Sequence, residues 1–351
     1  MTVDNSISRN IFSNHSVPLC HCRILARRSA EPGNCKTPCR EVLVGSGKIF
    51  IVGAGHVGAT AAAVMAERKL GDIHLYDITR DRAVGNAMDI NQSSPFYGTD
   101  SLVRGSNDIE DMHDSDVVVV AAGVPRHNGM TRLDLLKKNI DVIDGVGRNI
   151  QKFCPHAQVF IVTNPVDVLT WYAGTRWPDL HIFGLGCTLD TIRFQFFLAE
   201  ALKVSVDSVS SIVIGTHDEH MIPLIEYATV CGLPVQTLLD ESAAAEIMRN
   251  TIEAGSDIVR KLKERSGFYA AAAAITQVVE SIVLNKRHIM PLSIRCNGEY
   301  GHRDICLALP VIVGREKNKE IVEVHLSPEI RMKLDNCAQS MAAVLQNIRI
   351  A

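Results

Sequence analysis

The sequence predicts an α/β fold in which a doubly wound parallel sheet is followed by a mixed α+β region, and three observations carry that expectation. From Gly47 onward, short apolar runs alternate with helix-forming runs. The first of them, KIFIV at 48–52, stops in glycines spaced G-x-G-x-x-G: Gly53, Gly55 and Gly58. Past Cys187 the texture changes to antiparallel-looking runs such as HIMPLSIRC and DICLALPVIVG. Strand–helix alternation selects a parallel sheet with helices on both faces, because every parallel connection needs a crossover.

Taken in order, strands are predicted at 48–52, 72–77, 116–121, 158–162 and 181–184, with helices at 57–69, 133–153 and 166–175. VVVVAAGV at 117–124 is the longest apolar run and reads as a central parallel strand entering a loop; at eight residues it cannot span a membrane, which needs roughly 20. A helix at 188–203 then leads to a strand in SSIVIG and an alanine-rich helical stretch at about 241–285. The runs HIMPLSIRC, DICLALPVIVG and EIVEVHL and an amphipathic helix at 328–348 close the chain. The predicted division is a cofactor domain at 47–187 and a catalytic domain at 188–351.

Residues 1–46 have no apolar periodicity and carry six Lys/Arg against three Asp/Glu. A disordered extension is expected; an organelle transit segment and a wrongly chosen upstream start are the competing readings. Cys20, Cys22, Cys35 and Cys39 lie here with His15 and His21 nearby, but their spacings match no strong zinc pattern and no metal is expected. The other six of the ten cysteines are scattered through the main body, as thiols in a reducing cytosol would be. With 46% hydrophobic and 21% charged residues and a net charge of −3, composition gives no bulk electrostatic case for nucleic acid or an anionic membrane surface.

Each position of the GAGHVG turn, Gly53, Ala54, Gly55, His56, Val57 and Gly58, has a physical task in holding a dinucleotide. Gly53 permits the tight strand-to-helix turn, Gly55 lets backbone approach a pyrophosphate, and Gly58 lets the helix sit close on the sheet. Free N–H groups at the helix start face the phosphates. Asp77, 19 residues past Gly58 at the end of the second strand, can accept hydrogen bonds from both adenosine ribose hydroxyls. Its charge repels a 2′-phosphate, so the expected cofactor is NAD rather than NADP.

Arg126 and Arg132 lie in VPRHNGMTR, just past a parallel strand, where ligands of such sheets bind. Either alone could be a solvated surface charge, but Pro, Asn and Gly in this stretch suggest a loop able to close. Arg193 falls in CTLDTIRFQFF three residues after Asp190, so both sit on one face of an apolar helix and need partners. An internal ion pair is the plain alternative to an anion clamp. His217 follows a predicted strand and can shuttle a proton near neutral pH, with His220 a rival farther from the strand end. A carboxylate such as Asp190 on His217 would orient the imidazole and favour its protonated form. An acid–base pair and an arginine-lined anion pocket beside a nicotinamide imply hydride transfer to an α-keto acid.

From about residue 47 to 350 the chain resembles the lactate/malate dehydrogenase family, in particular its lactate-dehydrogenase-like malate dehydrogenases. The matching signatures are VGAGHVG, AAGVPRHNGMTRLDLLKKN, VTNPVDVLT, LDTIRF, IGTHDEHMIP and GEYG, in family order. The resemblance implies that His217 is the acid–base residue and Asp190 its orienting partner. Arg193 would grip the substrate's C1 carboxylate, and Arg132 would polarise the reacting carbonyl. Asn164 would contact substrate, and Val162, Thr163, Asn164 and Asn139 would approach the nicotinamide side of the cofactor. It further implies a cis Asn164–Pro165 bond and a homotetramer or homodimer. The chain departs from the family at Asp218 and Glu219, where relatives carry Gly-Asp, which puts the backbone after His217 in question.

Within the family, position 126 chiefly decides the substrate. Lactate enzymes hold a glutamine there, whereas Arg126 offers a bidentate partner to a second carboxylate, as in oxaloacetate. Gly267 replaces a bulkier threonine of the lactate branch and leaves space for the larger substrate. The resemblance therefore implies malate and NAD, with a lactate-type enzyme as the alternative. A non-catalytic NAD sensor would be expected to lose the histidine, the loop arginine or Asp190, and all three are present.

Overall fold

The computed structural model describes residues 47–124, 131–263, 265–317 and 319–349. The extension expected at 1–46, with its four cysteines, lies outside the described residues, as does Arg126; of Arg132 the backbone alone is described. Strand β1 (Lys48–Val52) enters α1 (His56–Glu67) through the glycine turn, followed by β2 (Asp72–Tyr76), α2 (Arg82–Tyr97) and β3 (Val103–Ser106). Then come β4 (Val117–Val120), α3 (Arg132–Phe153), β5 (Gln158–Ile161), α4 (Val166–Arg176) and β6 (His181–Gly184).

These six strands lie in the order β3-β2-β1-β4-β5-β6 with every neighbouring pair parallel. The chain winds outward from β1 in one direction and from β4 in the other, which makes the β1/β4 boundary the switch point of a Rossmann sheet. Helices cover both faces, so central strands are apolar throughout: the four valines of β4 are at most 1% exposed.

Two elements were not anticipated. Helix α2 carries Gly85, Ser93, Ser94 and Pro95 and buries only Ala83 and Ala87, so its polar face hides the helical period. Strand β3 reads VRGS, with a single fully buried residue, Val103. Without these two, the first half of the sheet is one strand short in the sequence reading.

The second half begins at α5 (Thr188–Leu202) and adds short pairs, β7 (Val209–Ser210), β8 (Val213–Ile214), β9 (Ile222–Pro223), β10 (Thr229–Val230) and β11 (Leu233–Pro234). The strand expected over 210–215 is broken at Ser211 and Ile212. The alanine-rich stretch is two helices, α6 (Glu241–Leu262) and α7 (Tyr269–Val283). Lys263 turns left-handed at φ 61 and ends the first. Strands β12 (His288–Asn297) and β13 (Arg303–Val313) form a long antiparallel pair, then β14 (Glu320–Ile321) precedes α8 (Pro328–Arg349).

The predicted run EIVEVHL is a strand for two residues only. Beyond Ile321 its partner in the ladder is Pro310, which has no N–H to give, and Val324 donates its own N–H to the Tyr300 hydroxyl instead (2.7 Å). Strand β12 pairs antiparallel with β6 at Ser293–Gly184, so one nine-stranded sheet runs through both halves. No helix among the described residues is long and apolar enough to cross a membrane. Of the six described cysteines, all free, Cys231 is the exposed one.

Candidate active site

The glycine turn fits its predicted tasks. Gly53 has φ 107, and a Cβ there would lie 2.7 Å from the Ala122 nitrogen of the neighbouring β4 end. A Cβ on Gly58 would lie 1.9 Å from the Gly53 carbonyl, so α1 can approach the sheet only with glycine at this position. Gly55 faces open space, with nothing within 4 Å of a Cβ there. That leaves a bare backbone cradle at the start of α1, where the turn offers no side-chain cap and the first helical turn holds no acid.

Asp77 stands at the end of β2 and is 6% exposed. Its Oδ2 accepts the Ala54 N–H at 2.9 Å and its Oδ1 accepts the Thr79 N–H at 2.7 Å, which aims the carboxylate over the turn. Each oxygen keeps a lone pair for a ribose hydroxyl. The Arg82 guanidinium approaches Asp77 Oδ2 at 3.6 Å, a neighbour the sequence reading did not single out.

Asn139, on α3, is buried and ties two loops together: its Oδ1 accepts the Val124 N–H at 2.8 Å and its Nδ2 donates to the Asn164 carbonyl at 2.8 Å. Thr163 donates its hydroxyl to the Ala122 carbonyl at 2.6 Å. Val162 is partly buried and Asn164 exposed, so Asn164 is the polar side chain of this loop free to meet a ligand. The Asn164–Pro165 peptide is cis, as the resemblance implies.

The catalytic candidates converge from α5 and the segment after β8, with α4 beneath them. Asp190, on α5, is fully buried and bridges His217 and Arg193. Its Oδ2 lies 2.6 Å from His217 Nδ1, and its Oδ1 lies 3.2 Å from Arg193 Nη1. The ion pair weighed as the alternative for Arg193 is therefore present, but it leaves Arg193 Nε buried with no partner among the described residues. A guanidinium with an unused buried donor is a fitting receptor for a carboxylate.

Asp167, the second residue of α4, accepts the His217 N–H at 2.8 Å and fixes the backbone of the histidine. This contact was missed in the sequence, where Asp167 is one residue of VTNPVDVLT with no visible link to a position 50 residues on. Burial pushes the Asp167 carboxyl up to about 6, while the Ser293 hydroxyl and the His217 N–H pull it down. For His217, burial disfavours the imidazolium most strongly of any single influence. The charge and hydrogen bond of Asp190, helped by Asp167, outweigh it, and the histidine titrates above its ordinary value.

The structure separates the two histidines. His220 is exposed and contacts Asp218 Oδ1 at 3.2 Å, away from Asp190. Asp218 itself needs no left-handed backbone. Its Oδ1 accepts the Thr216 hydroxyl at 2.8 Å and the His220 N–H at 2.9 Å, so the carboxylate caps the turn that follows His217. Farther out, helix α3 opens on a capping box: Thr131 Oγ1 accepts the Asp134 N–H and the Asp134 carboxylate accepts the Thr131 N–H, both at 3.1 Å. Arg132 is its first helical residue.

Comparison with known proteins identifies the family. Residues 47–176 match the lactate/malate dehydrogenase NAD binding domain, and residues 187–349 match the lactate/malate dehydrogenase alpha/beta C-terminal domain. The malate dehydrogenase of Desulforudis audaxviator is 38% identical over 86% of this chain and 99% of its own. That of Staphylococcus epidermidis is 37% identical over 88% and 99%. The crystal structure of Cryptosporidium parvum malate dehydrogenase superposes with a TM-score of 0.82 at 32% identity, covering 87% of this chain and all of that one. Lactate dehydrogenase from Eimeria maxima, solved with NADH and oxamate, also gives 0.82 at 32% identity, over 87% and 94%. The chain belongs to the lactate/malate dehydrogenase family of NAD-dependent oxidoreductases.

Proposed function

We propose that this chain is an NAD-dependent malate dehydrogenase that interconverts malate and oxaloacetate, with a cofactor-binding half at 47–187 and a catalytic half at 188–351. The observation that carries the reading is the buried Asp190 carboxylate, shared between His217 Nδ1 at 2.6 Å and Arg193 Nη1 at 3.2 Å. It leaves His217 Nε2 to take the proton of a substrate hydroxyl and Arg193 to hold the neighbouring C1 carboxylate. When bound, NAD supplies the hydride acceptor. Asp190 stabilises the imidazolium that forms and holds the ring orientation. Arg132 stabilises the carbonyl oxygen as charge develops on it, and Asn164 orients the substrate. Arg126 pairs with the second carboxylate, and Gly267 leaves room for it.

The most similar relatives named above are malate dehydrogenases, which supports the same choice. A homo-oligomer fits the apolar side chains that α2 and the segment after it expose, Met88, Phe96, Tyr97 and Leu102. The five buried thiols suit a reducing cytosol.

The test is NADH oxidation with oxaloacetate and with pyruvate, in the wild type and in Arg126→Gln. The wild type should favour oxaloacetate. The substitution should lower its efficiency by roughly 10²–10³-fold, because a buried carboxylate loses a two-pronged charged partner. Pyruvate should lose nothing. An unchanged ratio between the two keto acids would remove the main support for malate.

A further inference from the structure

Phe268, the residue before α7, stacks on His56, the first residue of α1, with ring centroids 5.0 Å apart and planes at 17°. Phe268 is 8% exposed, whereas the His56 ring is exposed at the open side of the glycine turn. The Arg265 guanidinium lies over the Phe268 ring, 4.7 Å from its centroid. Three residues from the α6–α7 connection and the glycine turn therefore form one column, which ends in a permanent cation.

The column stands beside a positive site that nothing on its own helix neutralises. Helix α1 has no side-chain cap at Gly55 and no acid in its first turn, so its first N–H groups stay open to an anion. Arg265 forms no ion pair with a described carboxylate and is exposed, so its donors are open to an anion. Neither Arg265 nor Phe268 belongs to the glycine signature, and nothing in the sequence links them to it across two hundred residues.

We propose that Arg265 is a cofactor-binding residue of this chain: seated on Phe268, it supplies a cation to the pyrophosphate of the dinucleotide that the glycine turn receives, while the His56–Phe268 stack sets its place. Because Gly267 lies between Arg265 and Phe268, the same contact orders the segment that borders the substrate. The inference rests on the dinucleotide reading of the glycine turn and adds to it a residue from the other half of the molecule.

The test is a set of equilibrium titrations of the full chain: NADH followed by fluorescence, and ADP-ribose and adenosine by calorimetry. Arg265→Gln should weaken NADH and ADP-ribose about tenfold, the scale of one charged hydrogen bond, and leave adenosine, which has no phosphate, unchanged. The loss should shrink as salt is raised. Arg265→Lys should recover most of it, and Phe268→Leu should reproduce part of it with Arg265 intact. Equal binding of ADP-ribose by wild type and Arg265→Gln would overturn the proposal, and so would an equal loss for adenosine, which would signal general distortion. Arg265 is exposed, so an unchanged thermal midpoint checks the fold of the variant. A wild type that binds neither NADH nor ADP-ribose would instead overturn the dinucleotide reading.

Discussion

At the scale of the residue, the chemistry turns on how one buried carboxylate is divided. Asp190 holds both His217 and Arg193, so removing it should disturb two functions together. His217→Asn should cut turnover by roughly 10²–10⁴ with NADH binding nearly intact, the usual scale for a lost general acid–base, while His220→Asn should have little effect. If His220→Asn proves the crippling change, the wrong histidine has been assigned. The pH dependence follows from the raised His217 value. Reduction of the keto acid needs the imidazolium, so its efficiency holds below that value and falls as pH rises through it; oxidation of the hydroxy acid runs the opposite way. Asp190→Asn removes the charge that raises the histidine and leaves burial, which lowers it. The alkaline limb of the reduction profile should therefore move to lower pH, and an unmoved limb in a pH series would contradict this role for Asp190. On the proposed reading Asp77 carries the cofactor choice: NADH should be preferred over NADPH on the order of a hundredfold, since a buried unpaired charge clash costs several kcal/mol. Asp77→Ser should narrow that preference sharply, because Arg82 is then left at the same spot to meet a 2′-phosphate. Equal use of both cofactors by the wild type would sink the assignment.

At the scale of the element, close approach and capping place these residues. Helix α1 touches the sheet through Gly58, where a Cβ would meet backbone at 1.9 Å. The Gly53 carbonyl cannot move aside without opening the turn, so Gly58→Ala should cost about 1–3 kcal/mol of stability or more and weaken NADH binding as well, as read by denaturant midpoint and titration. Helix α4 places Asp167 under the His217 backbone. Asp167→Ala should leave that N–H buried without an acceptor, at a cost of about 1–3 kcal/mol; Asp167→Asn, which can still accept it, should lose less. A harsher loss in the asparagine variant would show that the charge rather than the hydrogen bond matters. Elements also mark where periodicity stops being informative. Helices α1, α3 and α5 follow from their patterns, but α2 is polar with a proline in its last turn, and β3 is half exposed. The break between α6 and α7 begins at the left-handed Lys263 and ends before Tyr269, inside a stretch whose flanks are helical in composition.

At the scale of the whole molecule, the sheet does not respect the change of texture at Cys187. Strands β12, β13 and β14 extend it from β6, and one apolar core takes in Ile49 and Phe160 from the first half and Leu307, Leu309 and Leu345 from the second. The described chain accordingly belongs to one compact unit. Both tryptophans, Trp171 and Trp177, lie in the first half, whereas helices are spread through both. Urea unfolding followed by tryptophan fluorescence and by far-ultraviolet circular dichroism should therefore give coincident transitions. Separated curves would mean that the two halves unfold independently. A chain beginning at residue 47 should also fold and turn over both reactants, because the elements of the site all follow Gly47.

The sequence by itself pointed to the parallel sheet, the glycine turn, the acid that ends the second strand and the Asp190–Arg193 pair, because each rests on local spacing: a strand, three glycines and an acid at the end of the next strand, or two charges one helical turn apart. The pairing of His217 with Asp190, 27 positions apart, is legible in the sequence only through the family resemblance. Tertiary structure alone decided what those residues share. That Asp190 serves His217 as well as Arg193, that Asp167 holds the histidine backbone 50 positions away, and that Arg265 and Phe268 reach the glycine turn from the opposite half are consequences of packing, which has no period along the chain. The same holds for the turn after His217, where an aspartate replaces glycine without strain: its carboxylate supplies, through Thr216 and His220, the hydrogen bonds that hold the turn, and only the folded backbone brings those partners within reach.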